Sequence, residues 1–445
     1  MTLRISVIGT GYLGATHAAC MAELGYEVIG LDVNAEKLQA LSAGILPFHE
    51  PGLPELLRKH VSSGRLRFTD SYEEVAQRAD IHFVTVGTPQ RADSQSADMS
   101  YVDAAVDSLV ANISGEALIV GKSTVPVGTA RRLSERIEAT AKPGSKISLA
   151  WNPEFLREGF AVKDTLTPDR LVYGIQDDTS LAKLREVYAP ILALETPEVV
   201  TDLETSELVK VAANAFLATK ISFINAFAEV TETVGGDIKT LADAIGHDAR
   251  IGRKFLNAGV GFGGGCLPKD IRALQARVSE LGLSQTMGFL DEVDQINLRR
   301  RDRVVSLASS ILGNQLAGKR ICVLGVTFKP DSDDVRDSPA LDIAVRLYNS
   351  GAEVSVYDPE GNKNAAGRFP RLNYVESWRE AAKESDLVLL LTEWKEFRAL
   401  DPQELGEVVS SRVLIDGRNV LDRPLWRDQG WVMTGPGEKF DLAED

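Results

Sequence analysis

Apolar residues in this chain fall into short continuous runs separated by longer stretches of helical spacing. Ile5–Ile8, Glu27–Leu31, Ile81–Val86, Ala117–Val120, Ile147–Ala150 and Leu171–Ile175 read as strands, and Thr16–Leu24 as the first helix. Such alternation predicts a parallel, doubly wound sheet with helices on both faces. Near Thr201 the pattern changes. From about Glu204 to Val234 there is neither Gly nor Pro, and Ala, Leu, Val and Ile dominate. A helix there would run roughly 45 Å, long enough to join two domains and to form an interface. Helices are also expected at Ile238–Ile245, Ile271–Leu281 and from about Met287 to Leu312. A second α/β unit starts at Lys319. Arg320–Gly325 is a strand entering a turn, Pro339–Asn349 an amphipathic helix, Glu353–Tyr357 and Leu387–Leu391 strands, and Val413–Ile415 a strand ending at Asp416-Gly417-Arg418. The residues from about Gly435 are acidic and expected to fray. The expected architecture is α/β, with two doubly wound domains joined by a long central helix and a helical middle. The expected boundaries are 1–200, 201–312 and 318–445.

Composition narrows the class. The 445 residues suggest two or three domains, and 44% hydrophobic with 25% charged residues is ordinary for a soluble protein. A net charge of -15 argues against nucleic-acid binding, but local basic groups can still hold an anionic ligand. Met1-Thr2-Leu3-Arg4 runs straight into the first strand, leaving no room for a signal peptide. No apolar stretch approaches the ~20 residues of a membrane span. The three cysteines, Cys20, Cys266 and Cys322, are few and far apart, as in a reducing cytoplasm. The five histidines show no metal-ligand spacing.

Gly9-Thr10-Gly11-Tyr12-Leu13-Gly14 follows a strand and precedes a helix. Gly9 permits the tight turn, Gly11 lets backbone approach a pyrophosphate, and Gly14 lets helix and strand pack closely. The pyrophosphate would sit on the helix N-terminus. Asp32 ends the second strand roughly 20 residues on, where a carboxylate accepts from a ribose 2′-OH and repels a 2′-phosphate. NAD is therefore expected over NADP, with Lys37 near the adenosine. Two later turns, Val86-Gly87-Thr88-Pro89 and Lys122-Ser123-Thr124-Val125-Pro126, reach the same Rossmann-like crevice.

The run Gly261-Phe262-Gly263-Gly264-Gly265-Cys266-Leu267-Pro268-Lys269-Asp270 sets a thiol in bare backbone. Pro268 suits the first position of a helix, leaving Cys266 just before it. A thiol at a helix N-terminus is favoured as thiolate, and Asp270 would lie close to the sulfur. Cys266 reads as a nucleophile, and Cys20 and Cys322 as small buried apolar residues. Lys210 and Asn214 lie four apart in an otherwise apolar stretch expected to be buried all round. Either Lys210 snorkels to the surface, or it holds a developing alkoxide or takes a proton, with Asn214 on a water or the same oxygen. Glu154 and Glu158, in Trp151–Gly159, open at the ligand-binding edge of the sheet. They could act on protons or order water, or be ordinary loop carboxylates.

Together these motifs resemble the nucleotide-sugar dehydrogenases, most closely the branch that oxidises UDP-glucose. The resemblance covers nearly the whole chain. It includes Gly9–Gly14, Ser123–Pro126, Asn152–Leu156, Lys210–Asn214, Arg250-Ile251-Gly252, Gly261–Asp270, Phe328-Lys329-Pro330 and Asp416-Gly417-Arg418. It implies a four-electron oxidation of a sugar C6 alcohol to a carboxylate with two NAD. In that scheme Lys210, Asn214 and a water held by Asp270 assist the first oxidation. Cys266 traps the aldehyde as a thiohemiacetal that becomes a thioester, and water aided by Glu154 and Thr124 hydrolyses it. Glu158 would lie near the nicotinamide, and Thr88, Lys269 and Arg336 would approach the cofactor. The resemblance also implies that Phe255–Gly263 lies along the UDP-sugar, with Phe155 and Leu156 contributing backbone contacts. Phe328, Lys329 and Arg418 would reach it from the second α/β domain. Arg250 would come from a partner subunit, which implies a homodimer through the central helix or a larger assembly.

One departure is visible: many relatives have serine before the cysteine, where this chain has Gly265. Three other readings stay open: a sister enzyme acting on GDP-mannose or a UDP-N-acetylhexosamine, a 3-hydroxyacid dehydrogenase, and a non-catalytic protein that holds NAD and a nucleotide sugar. The 3-hydroxyacid reading is disfavoured, because one two-electron oxidation needs neither the thiol nor a second nucleotide-binding domain.

Overall fold

Alternation along single strands builds two cores, one on each face of a sheet. The computed structural model describes residues 3–439. In the first sheet the strands are β1 (Arg4–Ile8), β2 (Glu27–Leu31), β3 (Leu66–Thr69), β4 (Ile81–Val84), β5 (Glu116–Gly121), β6 (Lys146–Trp151), β7 (Leu171–Gly174) and β8 (Glu198–Thr201). Their spatial order is β3-β2-β1-β4-β5-β6-β7-β8. Ile5, Val7, Ile81, Phe83, Leu118 and Val120 feed one core. Ile8, Val84, Ala117, Ile119, Leu149 and Trp151 feed the other. Side chains alternate across a strand, so covering both faces with helices makes continuous apolar runs necessary.

The expectation of a wholly parallel sheet needs one correction. β6 meets β7 antiparallel, at Trp151–Gly174, and β8 then runs parallel to β7. The chain leaves β6 as an extended loop and has only the short Ala161–Leu166 helix before β7, too little for a full crossover.

The second sheet contains β9 (Arg320–Leu324), β10 (Glu353–Tyr357), β11 (Asn373–Tyr374), β12 (Leu387–Leu390), β13 (Val413–Asp416) and β14 (Val432–Thr434), in the order β11-β10-β9-β12-β13-β14. All its pairs are parallel. Ile321, Val323, Leu387 and Leu389 pack on one face, and Cys322, Leu324, Val388 and Leu390 on the other. The chain packs as two units. One runs through Ala213 and includes Arg272–Gly282; the other comprises Asn214–Ile271 and the residues from Leu283 on.

The central helix, Leu203–Val234, has 32 residues, a length of roughly 48 Å. It is not buried all round. Leu208, Phe216, Phe223, Phe227, Val230 and Val234 form an exposed apolar stripe, with Phe216 64% and Val234 72% accessible. Their spacing of mostly three or four residues places them along one edge. By length and composition this helix could cross a membrane, contrary to the sequence expectation. Its other face carries buried polar groups with protein partners, among them Glu207 and Lys210.

The expected fraying from Gly435 does not extend to the described residues. Gly437 N–H donates to Glu232 Oε1 at 2.9 Å, and Asn419 Nδ2 donates to the Pro436 carbonyl at 2.9 Å. Arg423 and Arg427 both pair with Glu438. Residues 440–445 lie outside the described residues, as do Met1 and Thr2.

Glu207 shows how the central helix fixes the first unit. Its carboxylate accepts from Gly128 N–H at 2.7 Å and Ala130 N–H at 2.6 Å, capping the Thr129–Thr140 helix. Burial pushes its carboxyl from 4.5 up to about 7, against the pull of those two bonds. The native state therefore holds the proton more tightly than the unfolded chain does. This contribution is full below pH 4.5 and is lost as pH rises through about 7. Glu207→Gln should gain on the native protein by up to roughly 3 kcal/mol between acid and mildly alkaline pH. Urea unfolding at pH 5 and pH 8 measures it; an unchanged difference would contradict this role.

Candidate active site

The first unit builds a dinucleotide crevice at the C-terminal edge of β1. Gly11 caps the Tyr12–Glu23 helix, and a Cβ built on it meets nothing within 4 Å. A Cβ on Gly14 would lie 1.9 Å from the Gly9 carbonyl oxygen. One glycine thus leaves open space at the helix N-terminus, and the other lets helix and turn touch. Both suit a pyrophosphate. Leu13 and Tyr12 occupy the first turn. Asp32 Oδ2 accepts from Thr10 N–H at 2.9 Å and Lys37 Nζ at 2.7 Å, and Oδ1 accepts from Asn34 N–H at 3.1 Å. Burial opposes its charge, but the Lys37 bond and the amides outweigh burial and hold the carboxyl below its usual range. Lys37, expected near the adenosine, is thus seated on Asp32.

Two hydroxyl bonds tie the turns after β4 and β5. Thr88 Oγ1 donates to the Thr124 carbonyl at 2.8 Å, and Ser123 Oγ to the Val86 carbonyl at 2.6 Å. Tyr12 hydroxyl donates to buried Glu50, which also accepts from Gly159 N–H at 2.6 Å and Ala161 N–H at 2.7 Å. The glycine fingerprint is thereby linked to the loop carrying half-buried Glu158.

Lys210 is buried and does not snorkel. Its side chain is 5% exposed and pairs with Glu154 Oε1 at 3.0 Å. Glu154 is accordingly not a solvated loop carboxylate; its Oε2 accepts from Leu156 N–H at 2.6 Å. The Phe155 ring lies under the Arg170 guanidinium, 3.8 Å to the centroid, with Lys210 Nζ at 5.6 Å. Asn214 follows Lys210 by one turn of the same helix.

In the second unit Asn214 Nδ2 donates to Asp270 Oδ2 at 2.7 Å, and Lys269 Nζ pairs with Asp270 Oδ1 at 2.9 Å. The helix after the glycine run begins at Leu267, so Pro268 is its second residue and not its first. Cys266 occupies the N-cap, its carbonyl accepting from Asp270 N–H at 2.9 Å. Cys266 is exposed, whereas Cys20 and Cys322 are buried. Burial pushes the Cys20 thiol up to about 12 and raises Cys322 as well. Gly264 has φ +85°, and a Cβ there would meet the Phe328 ring at 2.8 Å. Gly263 lies against the Asp337 carbonyl, 2.4 Å from where its Cβ would be. A Cβ on Gly265 would fall 2.3 Å from Arg336 Cζ, so the guanidinium takes the space a serine would need. Arg336 is itself held by Asp334.

Arg418 bridges three segments of this unit, donating to the Leu391 carbonyl at 2.7 Å, the Phe328 carbonyl at 2.8 Å and the Gly261 carbonyl at 3.5 Å. Lys329 Nζ lies 5.2 Å from the Phe328 ring centroid. Phe255 adopts φ +67°, which costs a bulky residue of order 1–3 kcal/mol and clusters at ligand clamps. Arg250 is set apart from this cluster: 90% exposed, it pairs with Asp248 of its own loop.

Several positioning residues were not read as such from the sequence. Asn297 exchanges two bonds with the Phe262 backbone, at 2.7 and 3.0 Å. Asn225 Oδ1 accepts from Gly259 N–H at 2.9 Å. Arg301 holds Asp337 at 2.9 Å. Each is a polar side chain at a buried helix position, the only signal available. Glu50 was likewise not read, and Asn152 was read only as part of the Asn152–Leu156 motif, without a role.

Comparison with known proteins agrees. The chain matches the UDP-glucose/GDP-mannose dehydrogenase family in three consecutive domains: the NAD binding domain over residues 3–192, the central domain over 204–299 and the UDP binding domain over 322–423. It is 41% identical to a UDP-glucose 6-dehydrogenase of Rhizobium meliloti over 420 residues, 94% of this chain and 95% of that one. Among solved structures, a UDP-glucose dehydrogenase from the hyperthermophilic archaeon Pyrobaculum islandicum superimposes with a TM-score of 0.90 at 38% identity, covering 99% of this chain and 98% of that one. A UDP-D-ManNAc dehydrogenase from Pyrococcus horikoshii gives 0.85 at 26% identity, covering 98% and 99%. Fold, length and domain order all coincide, and the chain belongs to the UDP-glucose/GDP-mannose dehydrogenase family, with its NAD binding and UDP binding domains.

Proposed function

We propose that the protein oxidises the C6 alcohol of UDP-glucose to a carboxylate, giving UDP-glucuronate. Gly9, Gly11, Tyr12, Leu13, Gly14, Asp32 and Lys37, with Thr88, Glu158, Lys269 and Arg336, would hold NAD, which would supply the hydride acceptor for each of two oxidations. The observation that carries the reading is an exposed cysteine at a helix N-cap, followed four residues later by an Asp270 that Asn214 and Lys269 hold. A simple alcohol dehydrogenase has no use for that arrangement.

The chain's own groups then divide the work. Lys210 and Asn214 hold the C6 oxygen as its proton leaves to a water on Asp270 and a C6 hydrogen leaves as hydride, giving the aldehyde. The Cys266 sulfur adds to the aldehyde carbon, and the new oxyanion is protonated to a thiohemiacetal. Loss of the remaining C6 hydrogen as hydride and of the hydroxyl proton gives a thioester. Thr124 and Glu154 direct a water onto that carbonyl; the C–S bond breaks, and the thiolate is restored. Capture prevents the aldehyde from escaping between the two oxidations. Phe155, Leu156, the Phe255–Gly263 loop, Phe328, Lys329 and Arg418 bind the UDP-sugar. The greater likeness to UDP-glucose dehydrogenases than to the UDP-D-ManNAc enzyme favours glucose as the sugar.

The functional segments on this reading are 1–200 for NAD, 201–312 for catalysis and assembly, and 318–445 for the UDP-sugar. The exposed apolar edge of the central helix supports a homodimer, to which Arg250 would contribute across the interface. The reaction suits a cytoplasmic enzyme.

Two NADH should form per UDP-glucose consumed; a ratio of one would contradict the thiol route. Cys266→Ala should lose acid formation while still binding UDP-glucose, checked by calorimetry and product analysis. Lys210→Ala should lower kcat by about a hundredfold or more; a change confined to KM would reduce Lys210 to a binding group. Phe216→Asp should turn a dimer into monomers in sedimentation velocity; an unchanged mass would place the interface elsewhere.

A further inference from the structure

Lys122 is a charged residue that the scheme above does not use, and it lies in a costly place. It follows β5 directly and is only 7% exposed. Its Nζ donates to Asn152 Oδ1 at 2.9 Å and to the Asn152 carbonyl at 3.4 Å, with the Tyr188 hydroxyl at 3.4 Å. The Phe83 and Tyr188 rings each lie 5.8 Å away. All these partners are neutral. Burying an ammonium among neutral groups is expensive, and an apolar residue of similar length would fill the space at lower cost. Burial accordingly lowers this ammonium from 10.5 to about 8, with Lys210 adding to the effect and Glu154 opposing it.

The bond to Asn152 explains the position. Asn152 directly follows β6, and its N–H donates to the Gly121 carbonyl at 2.8 Å. Its amide is committed on both sides: Nδ2 donates to the Val172 carbonyl at 2.9 Å, and Oδ1 accepts from the Tyr188 hydroxyl at 2.7 Å. The Lys122–Asn152 bond therefore closes one rigid frame across the ends of β5, β6 and β7. Thr124 stands two residues beyond Lys122, and Glu154 two beyond Asn152.

We propose that Lys122 is a positioning residue for thioester hydrolysis: by clamping Asn152 it fixes Thr124 and Glu154 in one frame, so that both can address the same water. This rests on the functional reading above. The scaffold acts most on the step that needs both residues at once. Capture of the aldehyde by Cys266 does not depend on it.

The test uses the full-length enzyme with NAD and UDP-glucose, quenched in acid and weighed intact. Lys122→Met should leave KM within about twofold, lower kcat by roughly tenfold or more, and accumulate a uronyl thioester on Cys266. Tyr188→Phe removes one hydroxyl from the same frame and should show the same adduct at a lower level. A kcat equal to the native enzyme's, or a fall in kcat without the adduct, would overturn the role of Lys122. Should Lys122→Met not fold, Tyr188→Phe decides alone: adduct supports the proposal, and native turnover overturns it. The two readings fail separately. One NADH per sugar in the native enzyme sinks the thiol route itself, whereas two per sugar with no adduct in either variant sinks only the positioning role.

Discussion

The ion pair between buried Lys210 and partly buried Glu154 is the constraint on which the first unit's chemistry depends. Neither charge could be buried by itself at acceptable cost. Each is therefore held where the other is, and the central helix is locked to the loop that leaves β6. The Glu154 oxygen that does not face Lys210 takes a backbone N–H from Leu156, so the carboxylate has little freedom left. One turn earlier on the same helix, Glu207 caps the helix that follows the Ser123–Pro126 turn. A single helix thus sets two of the loops at the sheet's carboxyl edge. That edge is where a parallel α/β sheet exposes its ligand crevice.

The thiol is presented by a different device. A run of glycines has no side chains with which to fix its own path, so neighbours fix it. Asn297 and Asn225 bond its backbone from helices, Arg418 reaches it from the turn after β13, and Phe328 fills the space beside Gly264. The result is a glycine loop that its neighbours hold, ending in an exposed cysteine at a helix N-cap. Gly265 belongs to the same economy of space, since the Arg336 guanidinium lies where a larger residue's Cβ would go.

The central helix is at once core and surface. Glu207, Lys210, Asn214 and Asn225 face inward to protein partners, while phenylalanines and valines line an exposed edge. Val211, Ala218, Ile224 and Ala228 are buried on the inward face, so the helix is apolar on two sides, and a partner covering the exposed edge would complete its burial.

The sequence by itself determined the two doubly wound sheets, the central helix and the chemical candidates, because apolar periodicity, glycine spacing and a lone cysteine before Pro268 are local properties. Glu27–Leu31, Pro339–Asn349 and Glu353–Tyr357 form as read, and most other strands shift by one or two residues. Short β11 and β14 and edge strands β3 and β8 were not read, since they carry few apolar residues and pair only where a neighbour offers an edge. Tertiary structure alone decided the antiparallel β6–β7 pair, the pinned Gly435–Glu438 segment and the face of the central helix left bare. It also decided the partners of Lys122, Lys210 and Glu207. A buried charge reveals its role only through the groups around it, and those arrive from strands and helices far away in the chain.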